Sequence, residues 1–122
     1  MVLSEDHSDA HYQIQSIASG KITINKEIYT RSVIISPNKL ITDWKPRSVE
    51  LITDDDLLLL LIDHPEIILL GTGERSTILP AKKLAVLLEK QYHIECMNTA
   101  AACRTYTILA AEGRKVVAGL II

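Results

Sequence analysis

Aromatic residues are scarce in this chain: it has no phenylalanine, and its 122 residues include only four tyrosines and one tryptophan. Hydrophobic residues nevertheless make up 48% of the sequence, so aliphatic side chains must fill the interior. A chain of this length fits one domain and can bury roughly two-thirds of the surface that its unfolded form exposes. The composition therefore predicts a single domain with an aliphatic core.

The chain also has few cysteines, no excess of basic residues and no long apolar run. Cys96 and Cys103 are too few for a disulfide framework, and we expect two reduced, buried thiols. Thirteen Lys and Arg residues against 15 Asp and Glu give a net charge of -2 without a basic stripe, which disfavours nucleic acid as a partner. The longest apolar runs, 57–62 and 116–122, are much shorter than the roughly 20 residues that span a bilayer, so we expect no membrane insertion.

The first eleven residues, MVLSEDHSDAH, are acidic and polar and have little to bury. They lack the basic start and apolar stretch of a signal peptide, and their acids are unlike a mitochondrial transit peptide, so the sequence predicts a cytoplasmic protein. We expect a flexible tail over residues 1–11 and one α/β domain over residues 12–122.

Residues 12–44 alternate between short β-branched runs and turn residues, which is typical of antiparallel strands and hairpins. After Pro46, Thr53 with Asp56 three residues later resembles a capping box and predicts a short helix. The apolar run EIILL then has the pattern of a strand buried on both faces. An amphipathic helix after Pro80, the strand HIECM, an alanine-rich helix from Thr99 and the strand KVVAGLII complete the chain.

This order predicts a layered α/β fold. Strand, helix and strand in succession favour a parallel pair with a right-handed crossover, so EIILL and HIECM should be parallel neighbours in a mixed central sheet. The N-terminal third should add an antiparallel β layer.

The loop Gly71-Thr72-Gly73, which follows a buried strand, is the first candidate site, because glycine permits positive φ and close approach of a ligand or helix. As a dinucleotide-binding motif the loop is weak: Ser76 stands where the third glycine is required, and the next helix begins near Pro80. Close packing or a tight turn is the competing interpretation.

Asn98, Thr99 and Arg104 form the second candidate. A helix N-terminus exposes free N–H groups, and a guanidinium in the second turn adds charge that can hold a carboxylate or phosphate. In a parallel sheet this helix start and the glycine loop lie at the same edge, where they would face one crevice. The alternative is that Asn98 is only a helix cap and Arg104 only a surface charge.

No other cluster predicts chemistry. His7 and His11 are four residues apart, His64 and His93 lack partners at ligand spacing, and no base is designated for Cys103. We therefore expect no catalytic residue, metal or cofactor.

Three segments carry a family resemblance: GKITINKEIYTRSVIISPNKLITDW, IILLGTGE and MNTAAACRTYTILAAEGRKVVAGLII. Together they resemble the family of small, uncharacterised bacterial and archaeal proteins that also includes the mitochondrial NADH dehydrogenase (complex I) assembly factor 3 and the adipogenesis-associated domain protein. The resemblance covers nearly the whole chain after residue 12. It implies a mixed central sheet with an additional β layer, and it implies an interaction role without an assigned reaction.

Two positions depart from the pattern that the resemblance implies. An aspartate is expected before the helix threonine and an asparagine after RTY, whereas this chain has Asn98 and Thr107. An uncharged cap near Arg104 suits an anion, or the acidic group of a partner, better than acid/base catalysis.

Two functions follow as expectations. The first is a non-enzymatic binding or assembly module that contacts a protein partner through Gly71, Thr72, Gly73, Asn98, Thr99 and Arg104. The second is a small-molecule or anion-binding protein, which could be a hydrolase, using the crevice at the same residues. The sequence identifies neither the partner nor the oligomeric state.

Overall fold

The computed structural model describes residues 10–122. The first three strands form a separate antiparallel sheet: β1 (Ile14–Ala18), β2 (Lys21–Ile24) and β3 (Glu27–Tyr29) pair in the order β1-β2-β3. Ile22 and Ile24 alternate with more exposed residues along β2, so one face of this sheet is buried. The hairpins expected in the first third of the chain therefore build the additional β layer.

The second sheet has five strands: β4 (Val33–Ile35), β5 (Leu40–Ile41), β6 (Ile67–Gly71), β7 (Ile94–Met97) and β8 (Val116–Leu120). Their order is β5-β4-β8-β6-β7. β6 pairs in parallel with both β7 and β8, whereas β4 is antiparallel to β8 and to β5. The sheet is mixed, and the expected parallel pairing of EIILL with HIECM is confirmed.

Helices connect the parallel strands. α1 (Asp54–Leu58) precedes β6, α2 (Ala81–Leu88) crosses from β6 to β7, and α3 (Thr99–Ala111) crosses from β7 to β8. The predicted capping box is present in α1: Thr53 Oγ1 accepts from the Asp56 backbone N–H at 3.1 Å, and the Asp56 carboxylate accepts from Thr53 N at 3.0 Å. α1 ends at Leu58, and the rest of the apolar run continues as a 3-10 turn, Leu59–Leu61.

The five-stranded sheet separates two apolar clusters. Leu69 of β6 points to the face covered by α3 and the three-stranded sheet, while Ile68 and Leu70 point to the face covered by α1 and α2. This alternation follows from the two-residue period of a strand. The chain is therefore a layered α/β protein with a mixed central sheet and an added antiparallel layer, as its sequence predicts.

The predicted flexible tail, residues 1–11, lies largely outside the described residues. Its last two residues are described: Ala10 is buried in the core, and the His11 backbone N–H donates to Pro37 O at 2.9 Å. The packed part of the chain therefore includes these two positions.

The two thiols occupy different environments: Cys103 of α3 is fully buried, and Cys96 of β7 is partly exposed. Burial raises the pKa of the Cys103 thiol from its ordinary value of 9.0 to about 12, although the Arg104 charge acts in the opposite direction. Burial also raises the pKa of Tyr106. These groups therefore stay protonated in the folded protein at pH values where they ionise in the unfolded chain.

This difference predicts a loss of stability at alkaline pH. Above about pH 9 the unfolded chain releases the Cys103 proton while the folded chain retains it up to about pH 12. The free energy of unfolding should fall with pH in this window, with a contribution approaching about 1.4 kcal/mol per pH unit from this thiol. Urea unfolding between pH 8 and pH 11 measures the slope. Cys103→Ala should have the shallower slope, and equal slopes for both proteins would contradict the prediction.

Candidate functional site

The carboxyl ends of three parallel strands meet at one edge of the central sheet. β6 ends at Gly71, β7 at Met97 and β8 at Leu120, and α3 begins directly after β7. This carboxyl edge is where ligands bind in open α/β sheets. The loop after Gly71 and the start of α3 therefore lie side by side, as the crossover order predicts.

Thr99 joins the chain segments at this edge. Its hydroxyl donates to Ile121 O at 2.6 Å and accepts from the Gly73 backbone N–H at 2.8 Å. Its own backbone N–H donates to Gly73 O at 2.8 Å. One buried threonine thus connects the glycine loop, the first turn of α3 and the residues after β8.

The two glycines of the loop have different physical roles. A Cβ on Gly71 would lie 3.0 Å from Thr99 Cα, so the absence of a side chain lets α3 pack directly against the end of β6. Gly73 has open space around it but adopts φ +100°, a conformation that other residues rarely take. The first glycine therefore permits close packing and the second permits the turn.

Thr72 is part of the loop's internal structure. Its backbone N–H donates to Met97 O at 2.8 Å, and its hydroxyl donates to Arg75 O at 2.6 Å and accepts from Thr77 N at 3.1 Å. Gly71 and Thr72 lie beneath the surface of the edge, and neither lines the cavity above it.

A cavity of about 410 Å³ opens above this network, and we call it the edge cavity. Four of the six predicted site residues line it: Gly73, Asn98, Thr99 and Arg104. The rest of its lining comes from β1 and the turn after it, from the end of the glycine loop, from the first turn of α3 and from the segment after β8: Ile17, Ala18, Ser19, Gly20, Glu74, Ala100, Ile121 and Ile122.

Sequence reasoning missed the part of the site that comes from the β1-β2 hairpin, residues 17–20. The residue pattern indicates the turn at Gly20, but nothing local to β1 and β2 shows that this turn faces the start of α3, some eighty residues later. In the structure this turn lines the edge cavity together with Asn98 and Thr99, and the Ser19 hydroxyl donates to Glu74 Oε1 in the loop after Gly73 at 2.9 Å.

The side-chain oxygens of Asn98 and Thr99 are occupied by hydrogen bonds within the protein. The Asn98 side chain caps α3 by accepting from Ala101 N at 2.8 Å, and Thr99 is bonded on both sides of its hydroxyl. Arg104 is exposed at the rim of the edge cavity, where its charge also lowers the pKa of Cys103 against the larger effect of burial. The cavity therefore combines a largely apolar lining with one cation, Arg104, and one carboxylate, Glu74, which accepts from the Ser19 hydroxyl.

Two further observations concern the whole described chain. Across residues 10–122, no three His, Cys, Asp or Glu side chains come together as metal ligands would. None of the helices described there has the length and apolar content needed to cross a membrane.

Comparison with known proteins identifies relatives over the whole length of the chain. The chain is 28% identical over 117 residues to a "13 kDa major membrane protein" of Francisella tularensis, with 95% of each protein covered. It is 30% identical over 122 residues to human NADH dehydrogenase [ubiquinone] 1 alpha subcomplex assembly factor 3, where 98% of this chain matches 65% of the human protein. The chain thus spans about two-thirds of the length of that assembly factor.

Among solved structures, the fold is similar to the crystal structure of a Bordetella parapertussis protein. The TM-score is 0.84 at 32% sequence identity, with 89% of this chain and 93% of the other covered. Residues 14–121, from the start of β1 to the residue after β8, match the family model described as "Protein of unknown function (DUF498/DUF598)". The resemblance drawn from the sequence motifs is confirmed, and the chain belongs to the DUF498/DUF598 family.

Proposed function

We propose that this chain is a protein-binding module with an assembly-factor-like role, and that its partner docks at the edge cavity. The partner contributes an apolar side chain to the cavity and an acidic group to Arg104. Gly71 and Thr72 support the site from beneath, Gly73 lines it, and Asn98 and Thr99 hold the helix start in place.

The lining of the edge cavity carries this proposal. Its apolar residues come from three parts of the chain: Ile17 and Ala18 on β1, Ala100 on α3, and Ile121 with Ile122 after β8. The Thr99 hydroxyl and the Asn98 side-chain oxygen, which lie in the same lining, are already hydrogen-bonded within the protein. A cavity of this composition suits an apolar group, because burying it costs none of these internal hydrogen bonds.

Similarity to proteins named as assembly factors is the second support. The human relative takes its name from assembly of a multisubunit enzyme, and 98% of this chain aligns with it. Such a role requires contact with other protein chains. A docking cavity at one edge of the sheet would meet that requirement.

A small ligand in the same cavity is the second candidate. The volume of the edge cavity, about 410 Å³, lies within the roughly 300–1,000 Å³ that is usual for small-molecule sites. A hydrolase remains the chemical extension of this candidate. In this second candidate a small ligand, and not a side chain of a partner, occupies the edge cavity.

Site-specific photo-crosslinking in the source cells tests the partner proposal. A photoreactive amino acid at Ala18, on the cavity rim, should give one defined protein adduct, whereas the same amino acid at Ala111, exposed at the far end of α3, should not. Ala100→Tyr fills the cavity and should remove at least about 90% of the Ala18 adduct. Ala111→Tyr is the matched control and should leave the adduct unchanged.

The proposal makes the adduct dependent on the cavity itself. If the Ala18 adduct survives Ala100→Tyr in a protein with unchanged melting temperature, the partner docks elsewhere. If no protein adduct forms and a small molecule co-purifies with the wild-type protein but not with Ala100→Tyr, the second candidate replaces the first.

A further inference from the structure

A second cavity, of about 490 Å³, opens at the same edge of the sheet. It lies where the chain enters β4 and leaves β5, and it shares Ile122 with the edge cavity. Because β4 runs antiparallel to β8 and Val33 pairs with Leu120, the residues before β4 lie beside those after β8. The two cavities are therefore neighbours on one continuous surface.

The charges around this second cavity have one dominant sign. Arg31, Lys45 and Arg47 line it against a single acidic side chain, Asp43. We call the cavity and these three cations the basic pocket. Three cations against one acid leave a local excess of positive charge in a chain whose net charge is -2.

The protein itself neutralises little of this charge. Arg31 lies 3.5 Å from Asp43, but the two side chains are 70% and 68% exposed, and ion pairs this exposed are weak. Among residues 10–122, neither Lys45 nor Arg47 has an ion-pair partner. These two cations are therefore available to an external anion.

The backbone that carries the cations is held in place. Trp44 is buried, and its backbone N–H donates to Ser32 O at 2.9 Å. The buried Ser32 hydroxyl donates to Pro46 O at 2.6 Å. The segment from 44 to 46 is thus fixed to the start of β4, which reduces the ordering cost when an anion binds Lys45 and Arg47.

We propose that the basic pocket binds acidic side chains of the same partner whose apolar side chain occupies the edge cavity. This inference rests on the proposed function and specifies the chemistry of the partner: an extended segment in which Asp or Glu residues stand within a few positions of an apolar residue. Guanidinium groups match carboxylates through paired hydrogen bonds, which gives the pocket a preference for acidic side chains.

Selection from a displayed library of random dodecapeptides tests the inference. Peptides are retained if they bind the wild-type protein and lose binding to Ala100→Tyr, so that only occupants of the edge cavity remain. We expect these peptides to be enriched in Asp and Glu beside an apolar residue. Fluorescence anisotropy of one selected peptide then measures affinity for the variants.

Charge reversal in the basic pocket should strongly weaken binding of that peptide. Lys45→Glu with Arg47→Glu should lower affinity at least about tenfold and reduce its salt dependence. The control, Lys82→Glu with Lys90→Glu, makes the same change of net charge at exposed positions around α2 and should have less than a twofold effect. A peptide with its Asp and Glu changed to Lys should regain binding to the pocket variant. Lys45→Gln with Arg47→Gln keeps the test available if charge reversal unfolds the protein.

The outcomes separate the two proposals. Selected peptides without acidic enrichment, or with equal affinity for wild type and the pocket variant, overturn the basic pocket and leave the edge cavity as a docking site. Failure to select any peptide sensitive to Ala100→Tyr overturns both. The inference is also overturned if no acidic peptide is selected and the wild-type protein, but not the pocket variant, binds a mixed-sequence single-stranded RNA. That result would assign the pocket to nucleic acid.

Discussion

Replacing Trp44 with alanine is expected to lower the free energy of unfolding by about 3–5 kcal/mol. The side chain is only 3% exposed and packs in the cluster between the central sheet and α1, and its indole N–H donates to Asp56 O at 3.2 Å. Truncation removes apolar contacts, opens a cavity and leaves that carbonyl without its donor. Trp44→Phe keeps most of the volume and should cost less. Urea unfolding of the three proteins measures the difference.

Gly119 gives this prediction an internal check. A Cβ at this position in β8 would lie 2.8 Å from Trp44 Cη2 and 2.8 Å from Leu60 Cδ2, closer than real Cβ contacts allow. Gly119→Ala in the wild-type background should therefore destabilise the protein by about 1–3 kcal/mol through overpacking.

The same change should be less costly when Trp44 is alanine, because the clash with the indole is then absent and Leu60 Cδ2 can shift into the vacated space. The double-mutant cycle should show a coupling energy of at least about 1 kcal/mol. Additive effects of the two substitutions would mean that the indole does not pack on Gly119 in solution.

Thr99→Val should lower the free energy of unfolding by about 2–4 kcal/mol, the second large effect, although the two side chains have nearly the same shape. Valine leaves the Gly73 backbone N–H and the Ile121 carbonyl oxygen without the hydroxyl that bonds to both of them. Each buried or part-buried polar group deprived of its partner costs about 1–3 kcal/mol.

Thr99→Ser is the matched control because it keeps the hydroxyl, and it should lose less than half as much stability as Thr99→Val. Amide hydrogen exchange locates the effect: protection at Gly73 should fall in Thr99→Val and persist in Thr99→Ser. If both variants unfold at the same urea concentration, losing the hydroxyl in Thr99→Val costs no more than losing the methyl group in Thr99→Ser, and the prediction is wrong.

These two predictions concern stability, whereas Ala100→Tyr and the charge reversals at Lys45 and Arg47 concern binding. The separation follows from where the residues lie. Thr99 and Trp44 are buried and bonded within the fold, while Lys45, Arg47 and Arg104 are exposed. A variant of the second kind that retains its melting temperature therefore reports on the surface alone.

Local sequence determined much of this protein. The spacing of Thr53 and Asp56 predicts the capping box, Asn98 predicts the N-terminus of α3, and the order strand, helix, strand predicts the parallel pairing of β6 with β7. Each feature depends on hydrogen bonds or periodicities within a few residues, or on the handedness of one crossover, so the sequence pattern contains the information.

The tertiary structure alone decided which other segments join the glycine loop and the start of α3 at the carboxyl edge. The pattern of short β-branched runs is the same for β1–β3 as for β4 and β5, yet the first group forms its own sheet and the second joins the central one. The partners of the Thr99 hydroxyl lie 26 and 22 residues away, and the basic pocket combines residues before β4 with residues after β5 and after β8. Such contacts depend on which apolar faces bury each other, a property of the whole packed chain that no single stretch of sequence encodes.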